Sequence, residues 1–155
     1  MKRTKHFIYI LTVIITAATT LLSACDNDDD IDAIFYGKTW YIVGGYINGQ
    51  PFTSDDIKQL YPTGGASANQ YVINFATQTF SGKLIAGSSF SGTWSADANS
   101  RKFTMNFTQT SNIFSNTLDK NIYEILSNAT SYSGDENVMQ INSSKGSYIS
   151  FNSNR

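Results

Sequence analysis

Few residues in this chain could carry acid–base or nucleophilic chemistry. The only histidine, His6, and the only cysteine, Cys25, both lie within the first 25 of 155 positions. Downstream of Cys25 there is neither imidazole nor thiol. Ser-His-Asp and Cys-His nucleophiles, His-ligated zinc and disulfides are therefore excluded there. Proton transfer would fall to Asp, Glu, Lys or Tyr. A carboxylate-based glycan hydrolase needs two acids about 5–9 Å apart across a cleft, and the available acids are Asp55, Asp56, Asp97, Asp119, Glu124, Asp135 and Glu136. Most of these read as helix caps, turn residues or helix-surface acids. Asp135 and Glu136 are adjacent in a turn, where solvation is the default role. The expectation is a non-enzyme with no cofactor and no metal.

The cysteine sits in a specific setting. Lys2, Arg3 and Lys5 form a positive start, Phe7 to Ile15 is apolar apart from Thr12, and small residues lead to Leu22-Ser23-Ala24-Cys25. This is the layout of an export signal. The apolar core falls short of the roughly 20 residues that span a bilayer, so a retained anchor helix is the weaker alternative. Leu-Ser-Ala-Cys resembles the lipobox of bacterial lipoproteins at all four positions. The resemblance implies cleavage between Ala24 and Cys25 and acylation of Cys25, whose thiolate is the side chain most readily alkylated. A single chain of myristoyl length gives only marginal membrane binding, so several acyl chains together make a lasting anchor.

Asp26, Asp28, Asp29, Asp30 and Asp32 follow within seven residues of the cysteine. Such a block repels itself and stays solvated, which predicts an extended tether over 25–33. The run resembles the acidic signal that sends some outer-membrane lipoproteins to the cell surface. It lacks the Gly and the distant Glu of an EF-hand loop. The chain thus divides into a leader (1–24), a lipidated cysteine with its tether (25–33) and a single domain (34–155). From residue 33 onward there are eight basic and seven acidic residues, so the domain is almost neutral. The clustered Lys and Arg of a nucleic-acid surface are missing.

The domain reads as mainly β. After a short lead-in at 34–38, Thr39 to Ile47 is β-branched and aromatic and closes on Asn48-Gly49, a hairpin signal. Trp40, Ile42 and Gly44 share one face of it, with Tyr41 and Val43 on the other, and Gly44-Gly45 marks a bulge or bend. Thr53 caps a short helix near 54–61. Period-2 runs follow at Tyr71 to Phe75, Thr79 to Ile85, Phe90 to Trp94, Phe103 to Phe107, Thr130 to Ser133, Val138 to Asn142 and Ser147 to Asn152. Between the fourth and fifth of these, Leu118, Ile122, Ile125, Leu126 and Ala129 form one stripe of an amphipathic helix at about 116–129. The expected architecture is an antiparallel β-barrel or sandwich of about seven to nine strands with that helix packed on it.

The order of features resembles the META/HslJ type domain and the related lipocalin-like small lipoproteins. The matching stretches are Gly37-Lys38-Thr39-Trp40, Asn48-Gly49, Phe90-Ser91-Gly92-Thr93-Trp94, the helix Ile122 to Leu126, Ser131-Tyr132-Ser133-Gly134-Asp135 and Tyr148-Ile149-Ser150-Phe151. The two cysteines often seen in the META pattern are missing, and the helix precedes the last three strands instead of following an eighth. The resemblance implies a compact envelope domain and transfers no catalytic residues.

The expected function is that of a non-catalytic binding or interaction module, lipid-anchored at the outer membrane with the cell surface as one possible side. Tyr36, Tyr41, Tyr46, Tyr61 and Trp94 are the candidate contacts for a protein, glycan or small apolar partner, as aromatics are at many interfaces. Such a module would show a contiguous aromatic or apolar surface patch. The alternative is a lipocalin-like carrier, which would need a hollow interior.

Overall fold

The computed structural model of the chain describes residues 31–61, 71–85 and 87–153. The leader, Ala24, Cys25 and Asp26, Asp28, Asp29 and Asp30 lie outside the described residues, as do residues 62–70.

Among the described residues nine antiparallel strands form one curled sheet, a half-barrel. They are β1 (Thr39–Ile47), β2 (Gln50–Pro51), β3 (Val72–Phe75), β4 (Thr79–Lys83), β5 (Ser89–Ala96), β6 (Phe103–Ser111), β7 (Ala129–Gly134), β8 (Val138–Ser143) and β9 (Tyr148–Asn152). The order is β6-β5-β4-β3-β1-β9-β8-β7, with β2 hairpinned onto the end of β1. The first strand therefore lies beside the last. The outermost strands β6 and β7 meet at one end, where Lys102 bridges Ser131 and the Tyr132 N–H donates to the Arg101 carbonyl at 3.0 Å.

Local chemistry explains the turns. Asn48 (φ 51°) and Gly49 (φ 78°) take the paired left-handed conformation of a two-residue hairpin. The register of β1 against β9 shifts between Ile42 and Gly44, the bulge expected of Gly44-Gly45. Trp40 and Ile42 point inward as expected. Beyond the bulge the inward place passes from Gly44 to Gly45, which pairs with Ile149, because one extra residue reverses the alternation.

Among the described residues three α-helices complete the fold. Helix α1 (Ile31–Phe35) corrects two expectations, since part of the presumed tether and lead-in is helical. Phe35 is fully buried and its ring meets those of Trp94, Phe75, Tyr132 and Phe103 at centroid distances of 4.7–5.3 Å. An aromatic placed there by α1 stoppers the half-barrel. Helix α2 (Ser54–Leu60) starts in a capping box: Asp56 N donates to the Thr53 hydroxyl at 3.2 Å and Thr53 N to the Asp56 carboxylate at 2.8 Å.

Helix α3 (Thr117–Ser127) buries Leu118, Ile122, Ile125 and Leu126 as its stripe requires. It stops two residues short of the expected end. Asn128 caps it, and Ala129 pairs with Ser143 at the start of β7. At its N-terminus the Asn116 side-chain oxygen accepts from Leu118 N at 2.8 Å and Asp119 N at 3.3 Å. Asn116→Ala is expected to cost about 1–2 kcal/mol, read as a drop in the thermal midpoint with an unchanged circular dichroism spectrum.

The interior is filled. Trp40, Phe75, Phe80, Phe90, Trp94, Phe103, Tyr132, Met139, Ile141, Ile149 and Phe151 form one packed cluster with the helix stripe. Among the described residues no helix is long and apolar enough to cross a membrane.

Candidate functional site

With the interior occupied by side chains, concave surface has to be sought on the outside of the sheet. Register builds such a surface on β1, β3, β4, β5 and β6. Across these strands Tyr41 lies opposite Val72, Val72 opposite Lys83, and Lys83 opposite Ser89. A parallel row runs Thr39, Asn74, Ser81, Ser91 and Gln109. Residues in such rows stand side by side on one face. Long side chains at Tyr41, Lys83 and Gln109 surround the short Ser81, Ser89 and Ser91. The result is a depression of about 390 Å³, within the range of small-molecule sites.

Its floor is apolar. Val72 is only 6% exposed, yet it belongs to the outer face and not to the interior cluster. The Thr39 hydroxyl bonds Asn74 Oδ1 at 2.8 Å, and the hydroxyls of Ser89 and Ser111 are 2.8 Å apart. Among the described residues Lys83 is the one charged group in the lining, and no carboxylate lines it.

The expected aromatic contacts do not gather at one place, although Tyr36 and the exposed edge of Trp94 share a second concavity of about 310 Å³. Tyr41 lines the depression. Tyr36 sits at the α1 end, its ring 5.7 Å from Trp94 and its hydroxyl donating to Thr77 O at 3.3 Å. Tyr46 is stacked on Tyr148 at 4.8 Å beside the β1–β2 hairpin. Tyr61 is exposed at the end of α2. Trp94 is a correction: it is 6% exposed and its indole N–H donates to Ala76 O at 2.9 Å, so it serves the core. Alternation had already put it in phase with Phe90, on the inward face.

The acids are likewise dispersed. Asp55 pairs with Lys58 at 2.9 Å and Asp56 closes the α2 capping box. Glu136 faces Lys38 at 3.7 Å and Glu124 faces Lys120 at 4.0 Å. Asp97 accepts from the Ser100 N–H at 2.7 Å, and this bond holds its carboxyl below the usual range. The Asn137 and Val138 N–H groups do the same for Asp135. Among the described residues no three potential metal-ligating side chains cluster.

Asp119 departs from its expected place on the helix surface. It is fully buried in the first turn of α3. A sequence signal existed, because Asp119 precedes Ile122 by three residues and Leu126 by seven, which puts it on the apolar stripe. Its Oδ2 accepts from Ile85 N at 3.3 Å. Oδ1 and the hydroxyl of Tyr71 make no hydrogen bond of ordinary geometry, although the two groups are close enough to interact electrostatically. Burial pushes the Asp119 carboxyl up, against the opposing pull of the Ser88 hydroxyl, the Ile85 N–H and the Tyr71 hydroxyl. Burial, and then the charge of Asp119, push the Tyr71 phenol above its usual range.

An acid whose folded pKa is raised binds its proton more tightly in the native state. Its contribution to stability is present below the unfolded value of 3.8 and is lost as the pH rises through the folded value. Asp119→Asn keeps an acceptor for Ile85 N and removes that titration. The variant is expected to be at least as stable as the native protein at pH 7, with the difference between the two narrowing toward pH 4. Thermal midpoints of both proteins across that range check the sign. Taking the difference cancels Asp97 and Asp135, whose lowered values act in the opposite direction.

A family model described as a domain of unknown function, DUF4847, matches residues 26–153. The chain belongs to the DUF4847 family. Its fold is similar to the crystal structure of a DUF4847 family protein from Bacteroides vulgatus ATCC 8482, at 29% identity and a TM-score of 0.62. That match covers 80% of this chain and 97% of the other. No curated protein matches the chain. The half-barrel and its outer-face depression thus belong to a DUF4847 domain.

Proposed function

We propose that this DUF4847 protein is a non-catalytic binding module of the cell envelope, anchored by lipid on Cys25 and taking its ligand in the outer-face depression. The observation that carries the reading is the division of labour in the sheet. Its inner face is spent on packing, while its outer face holds two rows of polar side chains around a concave floor. The dispersal of the acids supports a binding role over hydrolysis.

The anchor rests on the leader and on Leu22-Ser23-Ala24-Cys25, with the family match beginning at residue 26. The order of features shared with META/HslJ type envelope domains is in keeping with it. Only residues 26–30 separate Cys25 from α1, a reach of at most about 18 Å at ~3.5 Å per residue. The leash is short, and the domain is held close to the bilayer.

Ser81 is exposed in the middle of the depression, so Ser81→Trp fills it without touching the core. A metabolite and glycan panel read by thermal shift should yield ligands of the native protein that this variant no longer binds. Equal responses from both proteins would refute the site. Intact-mass analysis of protein from cell membranes should show an acylated N-terminal Cys25; a bare thiol with the leader attached would refute the anchor.

A further inference from the structure

We infer that the depression recognises an acidic saccharide unit, a hydroxyl-bearing ring that carries a carboxylate. This deepens the proposed binding role and rests on it. Three features of the lining specify the ligand together. Hydroxyls and side-chain amides dominate it through Thr39, Asn74, Ser81, Ser91 and Gln109, and such groups exchange hydrogen bonds with ring hydroxyls as both donors and acceptors. The Val72 floor beside the Tyr41 ring offers the apolar surface against which the C–H face of a sugar packs. Lys83, next to Val72 across the strand pair, supplies a positive charge that no carboxylate among the described lining residues offsets.

Competing ligand chemistries fit less well. Phosphate sites surround the anion with convergent backbone N–H groups beside a lysine or arginine. Here the backbone groups along these strands serve the β-ladders, and among the described lining residues Lys83 is a lone cation. An extended peptide adds to a sheet edge, whereas this depression opens on a sheet face between paired strands. A wholly apolar ligand would bury the hydroxyl rows without partners, which is costly. A ring with several hydroxyls and one carboxylate uses the lining fully, with the carboxylate on Lys83.

The test measures binding of trigalacturonate, free galacturonate and neutral maltotriose to the full chain, as purified from cells, by isothermal titration calorimetry. Trigalacturonate is expected to bind, maltotriose at least tenfold more weakly, and the affinity for trigalacturonate to fall as salt is raised. Lys83→Gln should lower trigalacturonate affinity about tenfold, as loss of a charge-assisted hydrogen bond does. Comparison with galacturonate separates a monomer site from one that reads a polymer. Equal binding of the neutral and acidic trisaccharides, with no effect of Lys83→Gln, would overturn the acidic specificity and leave the binding role standing. Binding of neither by a protein that does take other members of the panel would also overturn it. Acidic-sugar binding that survives Ser81→Trp would overturn the location, and with it the proposed role of the depression.

Discussion

Phe35→Ala should be the most damaging single truncation in this protein, costing about 3–5 kcal/mol and lowering the thermal midpoint by on the order of 10 °C. The ring lies face to face with Phe103 at 5.3 Å and 11°, and edge-on to Phe75 and Tyr132 at 5.1 and 5.2 Å. Deleting it removes one ring from several pairs at once, each contributing about 0.5–1.5 kcal/mol beyond area burial. The hole opens where the half-barrel is closed only by a five-residue helix, so neighbours on the strands cannot collapse into it. Loss of the α1 anchor also frees Ile34, whose carbonyl accepts the Trp40 indole N–H at 3.2 Å. Phe114, 66% exposed, is the control: its truncation should change the midpoint by no more than about 1–2 °C. Urea unfolding of the two variants measures the contrast. A Phe35→Ala protein within 1 kcal/mol of the native one would show that α1 is not part of the folding unit.

Gly92→Ala comes second, at about 3 kcal/mol. A Cβ built on Gly92 would lie 2.0 Å from the carbonyl oxygen of Asn106, far inside contact distance. The cause is the register shift of β5 on β6, where Ser91 faces Gln109 but Gly92 faces Phe107, leaving Thr108 as the extra residue. The bulge brings the β6 backbone against Gly92, and no side-chain rotation relieves a clash with a backbone carbonyl. The penalty falls beside Ser91 and Gln109, so the variant should also lose the ligand of the outer-face depression. Ser95→Ala on the same strand removes only an exposed hydroxyl pair with Thr104 and should leave both stability and binding intact. Urea midpoints and calorimetry on the two variants decide between a local backbone requirement and a general sensitivity of β5.

Much of this architecture was legible residue by residue. Alternation in Tyr71-Ile73-Phe75 and Phe103-Met105-Phe107, the Asn48-Gly49 hairpin and the Leu118–Leu126 stripe all express local rules, with periods of two and 3.6 residues that depend on near neighbours alone. Capping by Thr53 belongs to the same class. Helix α1 was hidden because five residues span little more than one turn and an acidic run precedes them; its stability comes from the socket into which Phe35 fits.

The chain alone determined the class of fold, the succession of its longer strands and two longer helices, and the lack of imidazole and thiol beyond Cys25. Each of these depends on composition or on spacing within a few residues. Tertiary structure decided that the interior is packed solid, that Trp94 is spent in the core, and that Asp119 is buried beside Tyr71. It also decided that Tyr41, Val72 and Lys83, far apart along the chain, share one row beside a patch of serines. The reason is physical: a strand's own pattern tells which face each residue takes, but only pairing between distant strands sets which residues stand side by side, and a site is made of neighbours.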